Sequence, residues 1–318
     1  AELFVATPNA GGTPLRAYCN ELEVNFQKVD NAYAAKWEKF PGKNKFKTSP
    51  EAREKINWIA ANSYPAVSYE TVLQKAGVTS AQVSKKFVIA QTQAAIWNLG
   101  SGFDTLGMAL SLYNIFCVTE RLPGGEYRSD VIGEGARDLT DARSNMVIQS
   151  YLHACEKWGV EPCGFEVCSH NVIPLCRGLG SSAGAVVAGV LIANALHDIA
   201  ASENELLRVM TQIEGHPDNV APCYLGGMTV SCWDGEELRY VRLPSLPSDM
   251  HVVVAVPDVR VRTSDAREAL PDKVEFKDAV FNVGHAALLT AAWATGKWEL
   301  LSWGMDDRIH QSYRAKIF

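Results

Sequence analysis

The sequence predicts a mixed fold of the α+β class over residues 85–318, preceded by a helical extension over residues 1–84. Two strand-like runs, KKFVIAQ from Lys85 and FCVTERL from Phe116, lead into long helical patterns, and this alternation is typical of α+β or α/β proteins. Hydrophobic residues make up 47% of the chain and charged residues 21%, which indicates a globular protein with a substantial core.

The N-terminal extension opens with a helix signal at Thr13-Pro14, an N-cap followed by a first-turn proline. The predicted helical stripe consists of Leu15, Tyr18, Leu22, Phe26, Val29, Tyr33 and Trp37. Pro41-Gly42 ends it, and shorter helices are expected after Ser49-Pro50 and over residues 69–76. Because soluble proteins rarely expose such area, we expect the stripe to pack on the main domain, on a second copy in a homo-oligomer, or on a larger assembly.

The main domain continues with elements predicted from hydrophobic periodicity. Helices are expected over residues 145–158, 203–214 and 278–294, and strands over residues 165–170, 227–232, 238–243 and 251–256.

Charge and cysteine content narrow the functional classes. The net charge of -6 argues against nucleic acid or an anionic membrane as the main partner, because both require a basic surface. The eight cysteines form no CxxC pair, and no apolar run is long enough to span a membrane. We therefore expect a soluble protein of a reducing compartment, such as the cytoplasm or a plastid stroma.

The segment from Val172 to Ala195 reads VIPLCRGLGSSAGAVVAGVLIANA and predicts a phosphate cradle. Gly178 and Gly180 permit a tight turn that directs backbone N–H groups at one point, and the apolar helix that follows presents its positive end there. The alternative is an ordinary loop before a core helix, with serine N-caps. The string lacks the lysine of a Walker loop and the spacing of a dinucleotide fingerprint.

The string PxxxGLGSSA resembles the nucleotide loop of the GHMP kinases. The resemblance implies an ATP site formed by Pro174, Gly178, Leu179, Gly180, Ser181, Ser182 and Ala183. It also implies a two-layer fold, in which residues 85–245 are an ATP-binding domain like ribosomal protein S5 domain 2. Residues 246–318 would then be an α/β C-terminal domain, which we expect to be truncated because a third glycine-rich motif is not found before Phe318.

The string NLGSGFD, from Asn98 to Asp104, combines a polar residue, two glycines and a carboxylate after a strand. It could be a strand-to-helix turn without further role. It also resembles the first motif of the homoserine kinases within the GHMP superfamily, which implies that Asn98 is catalytic and that Asp104 lies in the amino-acid site. A fixed carboxylate is a natural partner for a substrate ammonium group.

The string EGHPDNVAP, from Glu214 to Pro222, crowds polar residues into a turn bounded by two prolines. A single histidine is more often structural than functional. The string nevertheless resembles the homoserine kinases. That resemblance implies that Glu214 joins the Ser182 hydroxyl on Mg²⁺, an ion that takes oxygen ligands, while His216 and Asn219 line the homoserine pocket.

Two later strings, TSDAREALP from Thr263 and DRIHQSYR ending at Arg314, each contain an arginine. Either could be a solvated helix start. Both resemble homoserine kinase strings, which implies that Thr263 and Arg267 are catalytic and that Arg267 and Arg314 bind the substrate carboxylate. Two guanidinium groups on one carboxylate suit recognition of an α-amino acid.

Two hypotheses about function follow. The first is a homoserine kinase that uses ATP and Mg²⁺ to phosphorylate L-homoserine. The second is a catalytically impaired relative that serves as a structural or scaffold subunit. The first motif departs from the family pattern because Ile96 and Trp97 stand where small residues are usual, and a filled pocket would favour the second hypothesis.

Overall fold

The computed structural model describes residues 15–19, 22–29, 32–35, 88–139, 141–247, 249–256 and 263–315. The first three of these ranges, and residues 89, 119, 120 and 263, are described by their backbone alone.

The N-terminal described residues form strands, so the predicted helix from Leu15 to Trp37 is wrong over its described part. The strands are β1 (Leu15–Cys19), β2 (Leu22–Val29) and β3 (Ala32–Ala35), and they pair as an antiparallel sheet in that order. The pairing registers Cys19 with Leu22 and Val29 with Ala32, so two consecutive tight hairpins replace the helix. The helices predicted beyond Ser49 lie outside the described residues.

A second compact unit contains β4 and every element that follows it. Its sheet is built from β4 (Val88–Leu99), β5 (Gly102–Leu122), β6 (Tyr127–Gly133), β7 (Gly164–Asn171), β8 (Met228–Trp233) and β9 (Leu238–Arg242). The strand order is β6-β7-β5-β8-β9, and β4 also pairs with the long β5. Only the β6–β7 pair is parallel within this described sheet. The strands predicted after Lys85 and Phe116 are confirmed, whereas β6 was not predicted.

Four helices pack with this sheet: α1 (Met146–Trp158), α2 (Ser181–Leu196), α3 (Glu203–Glu214) and α4 (Pro217–Leu225). Sequence periodicity predicted α1 to α3. The string from Glu214 was expected to be a turn closed by two prolines, but Pro217 instead occupies the first turn of α4 and Pro222 lies inside it. Proline suits a first helical turn because its missing N–H has no helical acceptor there.

The helix ends follow local sequence signals. The Asn145 side chain accepts a hydrogen bond from the Val147 N–H at the start of α1, and Gly159 ends that helix in a left-handed conformation. Helix α2 is mostly apolar, and most of its residues are buried between α1 and the sheet. The glycine-rich loop is therefore attached to a largely buried helix.

The C-terminal part contains α5 (Thr263–Glu268), α6 (Phe276–Thr295), α7 (Leu301–Gly304) and α8 (Gln311–Arg314). The strand predicted over residues 251–256 is wrong, because these residues have no regular structure. A strand needs a ladder partner for its backbone groups, and none of the described strands pairs with this run. No helix among the described residues is both long enough and apolar enough to cross a lipid bilayer.

Candidate active site

The glycine-rich loop connects β7 to α2 and is fixed at both of its ends. Asn114 accepts hydrogen bonds from the Val172 and Ile173 N–H groups at 2.7 and 2.9 Å, and Leu179 accepts one from the Ala95 N–H at 3.1 Å. Leu179 and Ala183 are buried, Pro174 and Ser181 are partly buried, and Gly178 and Ser182 are exposed. The loop is thus anchored on its inner side and open to a ligand on its outer side.

Gly180 is the N-cap of α2 and has a φ of 72°, a left-handed value that favours glycine. A Cβ atom at this position would lie 2.8 Å from Asn219 Oδ1 and 3.1 Å from the Ala95 backbone. Gly178 has a similar φ of 71° but would meet no atom within 4 Å. The two glycines therefore differ in crowding while sharing a backbone conformation.

Replacing each glycine by alanine tests whether crowding at Gly180 adds to the backbone cost that both positions share. We expect Gly178→Ala to lower the free energy of unfolding by about 1–2 kcal/mol, the cost of a left-handed alanine, and Gly180→Ala to lower it further through the clash with Asn219. Urea unfolding of both variants measures the difference. Equal losses would show that Asn219 yields freely and does not constrain the loop.

Asn219 connects the loop to Glu214. Its Nδ2 donates to Glu214 Oε1 at 3.4 Å, and its buried Oδ1 has no hydrogen-bond partner among the described residues. Burial raises the pKa of Glu214 above its usual range, although the nearby His216 opposes the shift. Asn219 thus lies between Glu214, to which it is hydrogen-bonded, and Gly180 of the glycine-rich loop, where an added Cβ would meet its Oδ1.

His216 and Asp218 form a buried pair beside this link. Gly215 ends α3 with a φ of 89°, which turns the chain so that His216 stands at the start of α4. The His216 Nδ1 and Asp218 Oδ1 atoms are 2.6 Å apart, and both side chains are almost fully buried. Burial lowers the pKa of His216, but the hydrogen bond and charge of Asp218 outweigh burial and raise it overall. Asp218 was not among the residues assigned from the sequence.

Asp104 lies in β5 and pairs with Arg267 of α5. The Arg267 guanidinium donates to both Asp104 carboxylate oxygens, at 2.7 and 3.2 Å, in a bidentate arrangement. Asn98 Oδ1 accepts from the Asp104 N–H at 2.9 Å, and both residues have left-handed φ values of 57° and 51°. The string NLGSGFD therefore forms a strand-to-strand turn, not the strand-to-helix turn considered from the sequence.

One oxygen of Asp104 also lies within 4.8 Å of ligand-type atoms of His216 and Asp218. The residues assigned to the substrate from NLGSGFD and EGHPDNVAP are therefore neighbours in space.

Arg314 lies near Arg267. Its Nε donates to the Ala266 carbonyl oxygen at 3.0 Å, and among the described residues its two terminal nitrogens have no hydrogen-bond partner. Burial lowers the pKa of Arg314, and the positive charge of Arg267 lowers it further. The backbone of Thr263 begins α5, but its side chain lies outside the described part of the chain.

The turn before Asp104 is clamped by C-terminal residues that the sequence had not singled out. His310 Nε2 donates to the Gly100 carbonyl oxygen at 2.7 Å, and the Ser101 hydroxyl donates to the Gly304 carbonyl oxygen at 2.7 Å. Asn282 Nδ2 donates to Asp307 and to the Ser101 carbonyl oxygen, at 2.8 and 3.3 Å. His310 lies inside the string DRIHQSYR, but the sequence assigned a role only to Arg314 of that string.

His310 makes this clamp sensitive to acid. Its buried Nδ1 has no partner among the described residues, and burial lowers the pKa of its imidazole. A lowered pKa means that the folded state resists protonation, so stability is present at neutral pH and is lost as pH falls below the ordinary histidine value of about 6.5.

We therefore expect His310→Gln to lose less stability than the wild type on acidification, because the glutamine amide can keep the bond to Gly100 without titrating. Urea unfolding at a series of pH values measures this difference. The exposed His251→Gln is the control and should follow the wild type. A His310→Gln profile parallel to the wild type would contradict the assignment.

Ile96 and Trp97 are both partly buried in β4, where they pair with Met108 and Gly107 of β5. Both residues are thus part of the sheet that leads into the Asn98 turn. The Asp104–Arg267 pair and the hydrogen bond between Asn219 and Glu214 are both present in the same structure.

Comparison with family models gives two matches. The model for the GHMP kinases N terminal domain matches residues 145–227, a range that includes α1, the glycine-rich loop and α4. A model for the Thioester domain matches residues 16–138, a range that begins within β1 and includes β2 and β3.

Comparison with curated proteins gives relatives named homoserine kinase. That of Carboxydothermus hydrogenoformans is 42% identical over 220 residues, which cover 69% of this chain and 71% of the relative. That of Aquifex aeolicus is 39% identical over 227 residues, covering 71% of this chain and 75% of the relative.

Comparison with solved structures also gives a homoserine kinase. The homoserine kinase of Cytophaga hutchinsonii has a TM-score of 0.63 at 30% identity and covers 74% of this chain and 76% of its own. A mevalonate diphosphate decarboxylase from Legionella pneumophila has a TM-score of 0.53 at 19% identity, covering 69% and 74%, and shares the fold alone.

Proposed function

The chain belongs to the homoserine kinase family of the GHMP kinases, and from this premise we propose that it transfers the γ-phosphate of ATP to the side-chain hydroxyl of L-homoserine. The products are O-phospho-L-homoserine and ADP, a step of threonine biosynthesis. The observation that carries the proposal is the grouping of Asp104 with Arg267 and Arg314. An α-amino acid presents one ammonium and one carboxylate group, and this grouping offers a partner to each.

In this proposal the charged groups of the substrate replace the ion pair that Asp104 and Arg267 form with each other. Asp104 receives the ammonium group, and Arg267 with the free terminal nitrogens of Arg314 receives the carboxylate. The Arg267–Asp104 bond pair supports this assignment because it keeps both charges paired before the substrate arrives. His216 and Asn219 line the remainder of the site, and Thr263 is assigned to it by its family string.

The nucleotide phosphates are assigned to the loop from Pro174 to Ala183, whose exposed side offers backbone N–H groups at the start of α2. The residues assigned to Mg²⁺ supply oxygen ligands of the kind this ion takes, a partly buried carboxyl group from Glu214 and an exposed hydroxyl group from Ser182. When bound, the ion would neutralise negative charge on the phosphates. Asn219 then holds one carboxyl oxygen of Glu214 through its hydrogen bond.

Phosphoryl transfer depends mainly on positioning and charge neutralisation, so the chain needs to hold the hydroxyl in line with the phosphate. Asn98 contributes rigidity by fixing the backbone of Asp104. The pairing of His216 with buried Asp218 keeps the imidazole in one orientation.

The scaffold hypothesis is not favoured. Asp218 and His216 are buried polar groups whose removal from water costs free energy, and the Arg267–Asp104 pair is intact. A chain released from catalysis has no need to keep them.

The direct test is product identification. The folded chain is incubated with ATP, Mg²⁺ and L-homoserine, and phosphorus NMR follows the phosphate ester. The proposal predicts one O-phosphohomoserine for each ADP formed. A folded sample that binds ATP but forms no ester would overturn it.

A further inference from the structure

Phe103 stands directly before Asp104, at the centre of three contacts that the proposed chemistry does not use. The Arg314 guanidinium carbon lies 5.1 Å from its ring centroid, and that of Arg267 lies 5.8 Å away. The His310 ring is tilted against the same phenyl ring with centroids 5.1 Å apart. We infer that Phe103 is a positioning residue that holds the two arginines as a clamp for the carboxylate of the substrate.

The electrostatics show why such a residue is needed. Arg267 and Arg314 repel each other, and both carboxylate oxygens of Asp104 accept hydrogen bonds from Arg267. Within the described part of the chain, Arg314 has instead one hydrogen bond, from Nε to a backbone carbonyl oxygen. An aromatic face attracts a cation within about 6 Å, so one ring can hold both guanidinium groups near each other without neutralising either.

The Phe103 ring also contacts His310. The tilted His310 ring binds the Gly100 carbonyl oxygen as well, so the Phe103 ring and the turn that carries Asp104 share one support. This arrangement matters when Arg267 leaves Asp104 for a substrate carboxylate, because the Phe103 ring remains a fixed contact while the ionic partner changes.

The inference rests on the proposed function and is tested by kinetics with two substrates. In Phe103→Leu, which keeps apolar volume but removes the aromatic face, we expect KM for L-homoserine to rise roughly 5- to 30-fold through loss of two cation–π contacts. KM for ATP should stay unchanged, and kcat should change much less. Phe103→Tyr, which keeps the aromatic face, should restore the homoserine KM.

A second substrate separates positioning from a general packing defect. 3-Amino-1-propanol has the ammonium and hydroxyl groups of homoserine but no carboxylate, so the leucine variant should lose nothing relative to the wild type with it. The matched control is Phe281→Leu, since Phe281 also lies under an arginine, Arg308 at 3.8 Å, and stacks on His285. This control should leave both substrates unaffected.

The possible results separate a failure of the proposed function from a failure of the role inferred for Phe103. If wild-type protein does not phosphorylate homoserine, the proposed function fails. If it does, but Phe103→Leu leaves the homoserine KM unchanged or raises it equally for 3-amino-1-propanol, only the role of Phe103 is overturned.

Discussion

Replacing Arg267 by alanine is expected to lower kcat/KM for L-homoserine by roughly 30- to 150-fold, mainly through KM, because losing a partner of a charged group costs about 2–3 kcal/mol at a partly exposed site. The Arg267 side chain is 36% exposed, which places the cost at the low end of the range for buried pairs. Steady-state kinetics at varied homoserine measures the effect.

The control for this variant is Arg239→Ala, because Arg239 forms an exposed ion pair with Glu237 and should be kinetically silent. Arg267→Lys should recover only part of the loss, since lysine cannot reproduce the bidentate contact with a carboxylate. Full activity of Arg267→Ala would show that this arginine does not bind the substrate.

Replacing Glu214 by glutamine is expected to reduce kcat by a factor on the order of 100 or more, because a carboxylate assigned to Mg²⁺ supports several kcal/mol of charge stabilisation. Glutamine keeps the oxygen that accepts from Asn219, so the fold near the loop should persist. Titrating Mg²⁺ against activity is the measurement, and the variant should require more of the ion.

The exposed Glu156→Gln on α1 is the matched control for this experiment and should leave the Mg²⁺ dependence unchanged. A Glu214→Gln enzyme with the Mg²⁺ requirement of the wild type would contradict the assignment of the ion to this carboxylate.

Much of the second unit could be predicted because its signals are local. The apolar run after the serines of the glycine-rich loop produced α2, and Asn145 and Gly159 mark the two ends of α1. The glycine pattern predicted a tight turn, and Gly178 and Gly180 indeed have left-handed φ values.

The N-terminal prediction failed because two periodicities coexist in the same residues. Spacings of three and four suggested a helix, yet Leu22, Val24 and Phe26 also alternate with polar residues, the pattern of a strand. The short hairpins break this alternation after a few residues, so the strand pattern is difficult to recognise in the sequence. Residues 251–256 show the opposite failure, because their β-branched composition favours a strand but pairing cannot be read from composition.

The sequence motifs that contribute to the site could be recognised one by one, but their arrangement in space could not be predicted. Asp104 and Arg267 are 163 positions apart, and His310 is 210 positions from Gly100, so no local signal could reveal that each pair is in contact. Resemblance supplied the individual residues, whereas the support that Phe103 and His310 give to the arginines required the structure.

ADP release measured side by side with L-homoserine, mevalonate and galactose tests the central claim most directly. Asp104, Arg267 and Arg314 are assigned to charged groups that, of these three substrates, only the amino acid supplies together, so the account predicts homoserine turnover exceeding that of either other alcohol by a factor on the order of 100 or more in kcat/KM. Equal turnover of mevalonate or galactose would contradict it.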